Sequence, residues 1–341
     1  MHKLTIVLFI AAFLNVAGMT DDAYAKELKA NIHLAAKNDT VVVGYEPFAE
    51  RVRKETNGEI DIKLYVGGSL LAAKAVAQGI ADGVVNLGYV IVGYTPSLLP
   101  HMAFIGDMAG IGSDPVVVTA ATSEMVLTEC AACQAEYKAL GNVYTGTYSV
   151  PPMVIMSRIM LDSPDAIKGK KVRSSGGVWD RFLKSLGAVP VPLNSTEQYE
   201  ALNRGVVDAA LHLSSSLQSY DLWDMVKDVV PVQIGAFRAI NTFAFNPDSW
   251  ATLTSEQRRI ILEAASDANF DIASAYTITG NKAIEKSIEK GIRVNALSVE
   301  WQKAVENFTE SEKQELVSIG SDSRGVENPE QYIQKMTELV A

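Results

Sequence analysis

Cys130 and Cys133 form a C-x-x-C pair, a spacing at which thiols exchange disulfides, hold a metal or attach haem. Gln134 follows them, where covalent haem attachment requires a histidine. No second cysteine pair exists, and His33, His101 and His212 are scattered along the chain, so zinc binding through these thiols is disfavoured. In an oxidising compartment a local structural disulfide is the ordinary reading, with a catalytic dithiol as its alternative. The sequence contains no H-E-x-x-H, no G-x-S-x-G and no G-x-x-x-x-G-K-[ST]. Gly110-Ile111-Gly112 begins like a dinucleotide fingerprint, but Pro115 stands where the third glycine belongs. Nothing here calls for a cofactor, a metal or an enzyme. One spacing suits an anion: Ser174-Ser175-Gly176-Gly177 leads directly into a predicted helix, whose free N–H groups and dipole favour negative charge.

The elements that position these residues alternate along 341 residues, a length that allows a core split over two lobes. With 30 Lys+Arg against 40 Asp+Glu and a formal charge of -10, the chain is a poor nucleic-acid binder, because neutralising phosphates needs clustered cations. His2 and Lys3 precede an apolar run from Leu4 to about Ala17, and Ala23-Tyr24-Ala25 is a small-x-small cleavage signature, so residues 1–25 read as a secretory signal peptide. The run falls short of the roughly 20 residues a membrane-spanning helix needs.

Short strands then alternate with glycine-punctuated helices, the rhythm of an α/β protein. Helices are expected at 45–57, up to Gly79, and at 122–140 with Gly141 as its stop. Alternating Ile60, Ile62 and Leu64 predict a strand, and another is expected at 84–90. Residues 171–174 read as a strand feeding a helix at 178–186. Ser195 and Gln198 have capping-box spacing, as do Thr254 and Gln257, the latter opening a very long helix toward Gly291. Two long extended stretches, 142–160 and 230–246, suggest that the chain crosses between lobes more than once. A further helix is expected at 328–340.

Gly169-Lys170-Lys171-Val172-Arg173, Leu186-Gly187-Ala188-Val189-Pro190-Val191, Glu197-Gln198-Tyr199-Glu200-Ala201-Leu202 and Gly205-Val206-Val207-Asp208 occur in order. With Gly79-x-x-Asp82 and Asn246-Pro247-x-x-Trp250-x-x-Leu253, the set resembles the substrate-binding proteins of tripartite ATP-independent periplasmic (TRAP) transporters, the DctP-like family. The resemblance covers nearly the whole chain after residue 25. It implies a type II periplasmic binding protein fold with two α/β lobes, hinge strands and one long bracing helix. The N-terminal lobe would comprise 26–150 plus about 240–275, the C-terminal lobe 151–239 plus about 276–310, and 311–341 a C-terminal helical segment. It also implies a periplasmic receptor, monomer or homodimer, that delivers a small organic acid to an ion-gradient-driven membrane permease. A ligand-sensing partner of a membrane signalling protein is the alternative, and an exported enzyme on the same fold a remoter one.

By the same resemblance Arg173 is the carboxylate anchor, and a guanidinium fork suits that role better than lysine does. Trp179 is expected as an apolar pocket wall, His212 as a hydrogen-bonding group at a strand end, and Tyr89 as a residue of the opposite jaw. Phe237, Arg238 and Arg158 complete the candidate contacts. Some sugar-acid-binding relatives carry a second arginine on the first crossing, where this chain has Met153. A two-arginine clamp is therefore not expected there, and an acid with an apolar portion against Trp179 fits at least as well.

Overall fold

The computed structural model describes residues 25–341 apart from Ala239 and Leu297, and the expected signal peptide lies outside the described residues. Strands β1 (Lys26–Asn31), β2 (Ile60–Tyr65), β3 (Leu87–Ile91) and β9 (Ile240–Phe245) form a sheet in the order β2-β1-β3-β9. Here β1 is parallel to β2 and β3, and β9 runs antiparallel to β3. Strands β4 (Val154–Ser157), β5 (Lys171–Ser174), β6 (Val189–Pro192), β7 (Ala209–His212), β8 (Asp228–Pro231) and β10 (Arg293–Val294) form the second, in the order β10-β8-β4-β7-β5-β6. In it β5 lies parallel between β6 and β7, and β4 lies antiparallel between β7 and β8.

The chain leaves the first sheet before β4 and returns at β9, and the two crossings touch. Val150 and Phe237 exchange backbone hydrogen bonds of 3.0 and 3.1 Å, as Val143 and Phe245 do at 2.8 and 3.1 Å. This is the expected two-lobed periplasmic binding fold. Its brace is the helix Ser255–Glu289, opened by a reciprocal cap: Thr254 Oγ1 accepts from Gln257 N at 3.1 Å, and Gln257 Oε1 accepts from Thr254 N at 3.0 Å. Ile261 and Ile272 belong to the core that holds Leu28 and Ile62 of the first sheet, and Ala283 to the core that holds Met156 and Val229 of the second.

Three local expectations are corrected. The helix expected at 122–140 is broken: Pro115–Glu124 continues as a π turn, Met125–Glu129, and a second helix, Ala131–Leu140, sets off at 83°. Cys130 leaves helical geometry (φ −113, ψ 75) to cap the second helix through its sulfur and is disulfide-bonded to Cys133, so the bridge lies inside the corner. Gly79 does not end a helix but lies within Val76–Ala81, where a Cβ would meet the Leu71 side chain. The cap predicted at Ser195 is one residue upstream, where the Glu197 carboxylate accepts from the Asn194 N–H at 2.8 Å. Ser195 is engaged elsewhere: its N–H donates to Tyr94 Oη and its hydroxyl accepts from Tyr220.

Candidate functional site

Parallel ladders on both sides hold β5 rigidly, with Arg173 opposite Val191 on one flank and Ala210 on the other. The Arg173 side chain is fully buried at the C-terminal end of this strand. Its Nε donates to Leu193 O at 3.0 Å, Nη1 to Leu211 O at 3.2 Å and Nη2 to Tyr94 Oη at 3.3 Å. A guanidinium has five N–H donors. One on each terminal nitrogen is therefore unspent, and among the described residues no carboxylate pairs with this arginine. A buried charge without a counter-charge is costly, and a carboxylate would engage both remaining donors in one bidentate contact.

Tyr94 links the lobes at this point. It follows β3, and its oxygen accepts from both Arg173 Nη2 and the Ser195 N–H, at 3.1 Å for the latter, leaving its own O–H to donate into the cleft. The same cleft is lined by Tyr89, His212 and Phe237 among the expected residues, and by Tyr148, Tyr276 and Met153. His212, the last residue of β7, shares a hydrogen bond through Nδ1 with Ser216 Oγ. Trp179 lies 6.2 Å, ring to ring, from Phe237. With Phe237 and Arg238 it lines an adjoining compartment, which shares Ser175 and Phe237 with the first. Arg158 is apart from these residues. In β4, Val154 pairs with His212 and Ser157 with Ala209, so Arg158 follows the far end of the strand, where its N–H donates to Asp208 O at 3.0 Å.

Tyr89, expected at the opposite jaw, is one member of a wall whose other members, Thr40, Tyr148 and Tyr276, no motif singles out. The Tyr89 and Tyr148 hydroxyls are hydrogen-bonded, Tyr148 bonds Thr40 Oγ1 at 2.6 Å, Thr40 bonds Tyr276 at 2.9 Å, and Tyr276 donates to Asn38 Oδ1 at 2.7 Å. The Tyr89, Tyr148 and Tyr276 rings stack in sequence at 6.0 and 5.9 Å. Burial pushes all three phenols well above their usual pKa, so they are neutral. Tyrosine content alone carries no sign of this chain, because its members come from separate elements.

Burial also lowers His33 to about 4 and, aided by the Arg173 charge, holds His212 well below the usual histidine value. Both rings are neutral in the folded chain and protonate more readily when it unfolds. Their contribution to stability is complete above about pH 6.5 and is lost as pH falls from there through the folded values. Urea unfolding between pH 6.5 and 4.5 should show stability falling, with each histidine contributing a slope approaching about 1.4 kcal/mol per pH unit. His33→Phe should remove about that much of the slope, and an unchanged slope would show that His33 is solvated.

The family described as bacterial extracellular solute-binding protein, family 7 (DctP), matches residues 32–317. The chain belongs to this family. A solute-binding protein of Albidiferax ferrireducens is 26% identical over 267 residues, covering 70% of this chain and 73% of the relative. Among solved structures, a TRAP solute-binding protein of Rhodoferax ferrireducens in complex with copurified benzoate superposes with a TM-score of 0.83 at 18% identity, covering 93% of this chain and 98% of that one. A marine-metagenome TRAP solute-binding protein specific for aromatic acid ligands, in complex with metahydroxyphenylacetate, superposes with a TM-score of 0.82 at 20% identity, covering 92% and 98%. The fold of this family 7 protein is thus that of two-lobed solute receptors, and its buried Arg173 lies between the elements that carry Tyr94 and His212.

Proposed function

We propose that the chain, exported and cleaved near Ala25, is a periplasmic receptor that captures a small organic acid with an aromatic or apolar body and delivers it to an ion-gradient-driven TRAP permease. The observation that carries this reading is Arg173, fully buried, with two terminal N–H donors unspent and no carboxylate partner among the described residues. Phe237 and the stacked tyrosines supply an apolar body's contacts, while Tyr94 and His212 supply hydrogen bonds beside the carboxylate. The aromatic acids held by the structurally similar receptors fit the same pattern. Two separate sheets, one with β1–β3 and β9 and the other with β4–β8 and β10, support a division into lobes at 26–150 plus about 240–275 and at 151–239 plus about 276–310.

A thermal-shift screen of residues 26–341 against small mono- and dicarboxylates, with Arg173→Ala in parallel, tests the proposal. A ligand that binds only the folded state raises the melting temperature by mass action. The expected result is a carboxylate hit that disappears in Arg173→Ala; a hit indifferent to that substitution, or no hit, would contradict the reading.

A further inference from the structure

We infer that Arg238 is a second anion anchor, so that the preferred ligand is an acid with two anionic groups on an apolar or aromatic spacer. This rests on the carboxylate-receptor reading above and adds the class of acid. Arg238 is fully buried, yet its Nε and Nη1 have no hydrogen-bond partner, and Nη2 alone donates, to Ile111 O. It lines the compartment that adjoins the tyrosine-walled cleft, the two sharing Ser175 and Phe237 in their linings.

The other charges there do not neutralise it. Asp107 lines the same compartment, but its Oδ2 accepts from Arg324 at 2.8 Å and its Oδ1 from Arg181 at 3.0 Å. Glu312 is also paired with Arg181. Arg181, Arg238 and Arg324 thus face two carboxylates, and the positive charge left over is on the guanidinium with the unmatched donors. Burial alone, with no stabilising anion, lowers Arg238 to about 9. Gly176 and Gly177 line the compartment at the start of the helix Val178–Ser185, whose N-terminal dipole adds to the field. Phe237 is the shared wall, and Trp179 beside it gives a planar spacer two rings to pack against.

Calorimetric titration of residues 26–341 with benzoate, isophthalate and terephthalate separates the cases. The expected result is that one of the diacids binds at least about tenfold more tightly than benzoate, the gain of one charge-assisted contact. That preference should vanish in Arg238→Met and partly survive in Arg238→Lys. Arg238→Met should also raise the urea midpoint of the unliganded chain, since it replaces an uncompensated buried charge with an apolar side chain of similar length. Benzoate binding that is lost in Arg173→Ala, with no diacid preferred, would overturn the second anchor and leave the receptor reading standing. A diacid preference that survives Arg238→Met would overturn it too, as would a lowered midpoint, which would assign Arg238 to holding the turn at Ile111. Binding of none of the three acids would count against both.

Discussion

Arg173→Lys should weaken carboxylate binding at least about a hundredfold while leaving the fold intact. A hydrogen bond to a charged group is worth about 1.5–3 kcal/mol, and lysine cannot present two parallel donors to one carboxylate. Lysine also gives up the three bonds that aim the guanidinium, to Leu193 O, Leu211 O and Tyr94 Oη. Those bonds are the reason charge alone does not suffice: they spend Nε and one N–H of each terminal nitrogen and leave one N–H on each for the carboxylate. Calorimetry with the best acid from the screen reads the effect directly. A loss of less than about tenfold would mean that the carboxylate is held elsewhere or by charge alone.

Gly235→Ala should destabilise the chain by about 4 kcal/mol or more, in the range reserved for severe steric or backbone defects. Gly235 has φ +130, and a Cβ there would lie 1.7 Å from Ala109 O and 2.7 Å from its carbonyl carbon. Both obstacles are backbone, which cannot swing aside as a flexible side chain would. The contact also matters for the site, because the next residue, Ala236, donates to Gly112 O at 3.1 Å and Arg238 reaches Ile111 O. The 109–112 turn therefore seats the crossing strand that carries Phe237 and Arg238 into the cleft. Urea unfolding checks the prediction, and a variant within about 1 kcal/mol of the parent would show that the turn yields.

Much of the scaffold was legible because its signals are local. The strand 171–174, its exit through Gly176 and Gly177, and the Thr254–Gln257 cap depend on residues within one turn of each other. The break at Cys130 was not legible, since helix propensity through 122–140 is favourable and the disulfide and sulfur cap located at the turn leave no mark on that propensity. The Ser195 cap failed for a similar reason: Tyr94 from the other lobe claims its N–H, and Tyr220 its hydroxyl.

At the site, motif resemblance pointed to Arg173, Tyr89, His212, Trp179, Phe237 and Arg238; the last five line two adjoining compartments, and Arg173 donates to Tyr94, which lines one of them. Arg158 shared only its proximity in sequence to the first crossing, and β4 carries it to the far end of the sheet. Tyr94, Tyr148, Tyr276 and Thr40 gave no signal, because their link is a hydrogen-bonded chain and a lobe-to-lobe contact formed only in three dimensions.

The most direct measurement is a crystal structure of residues 26–341 with the tightest-binding acid from the screen. Both oxygens of one carboxylate should accept from Arg173 Nη1 and Nη2, with the body of the acid against Phe237 and the Tyr89–Tyr148 wall. A carboxylate bound away from Arg173, with those two donors still unmatched, would contradict the assignment of this arginine as the anchor.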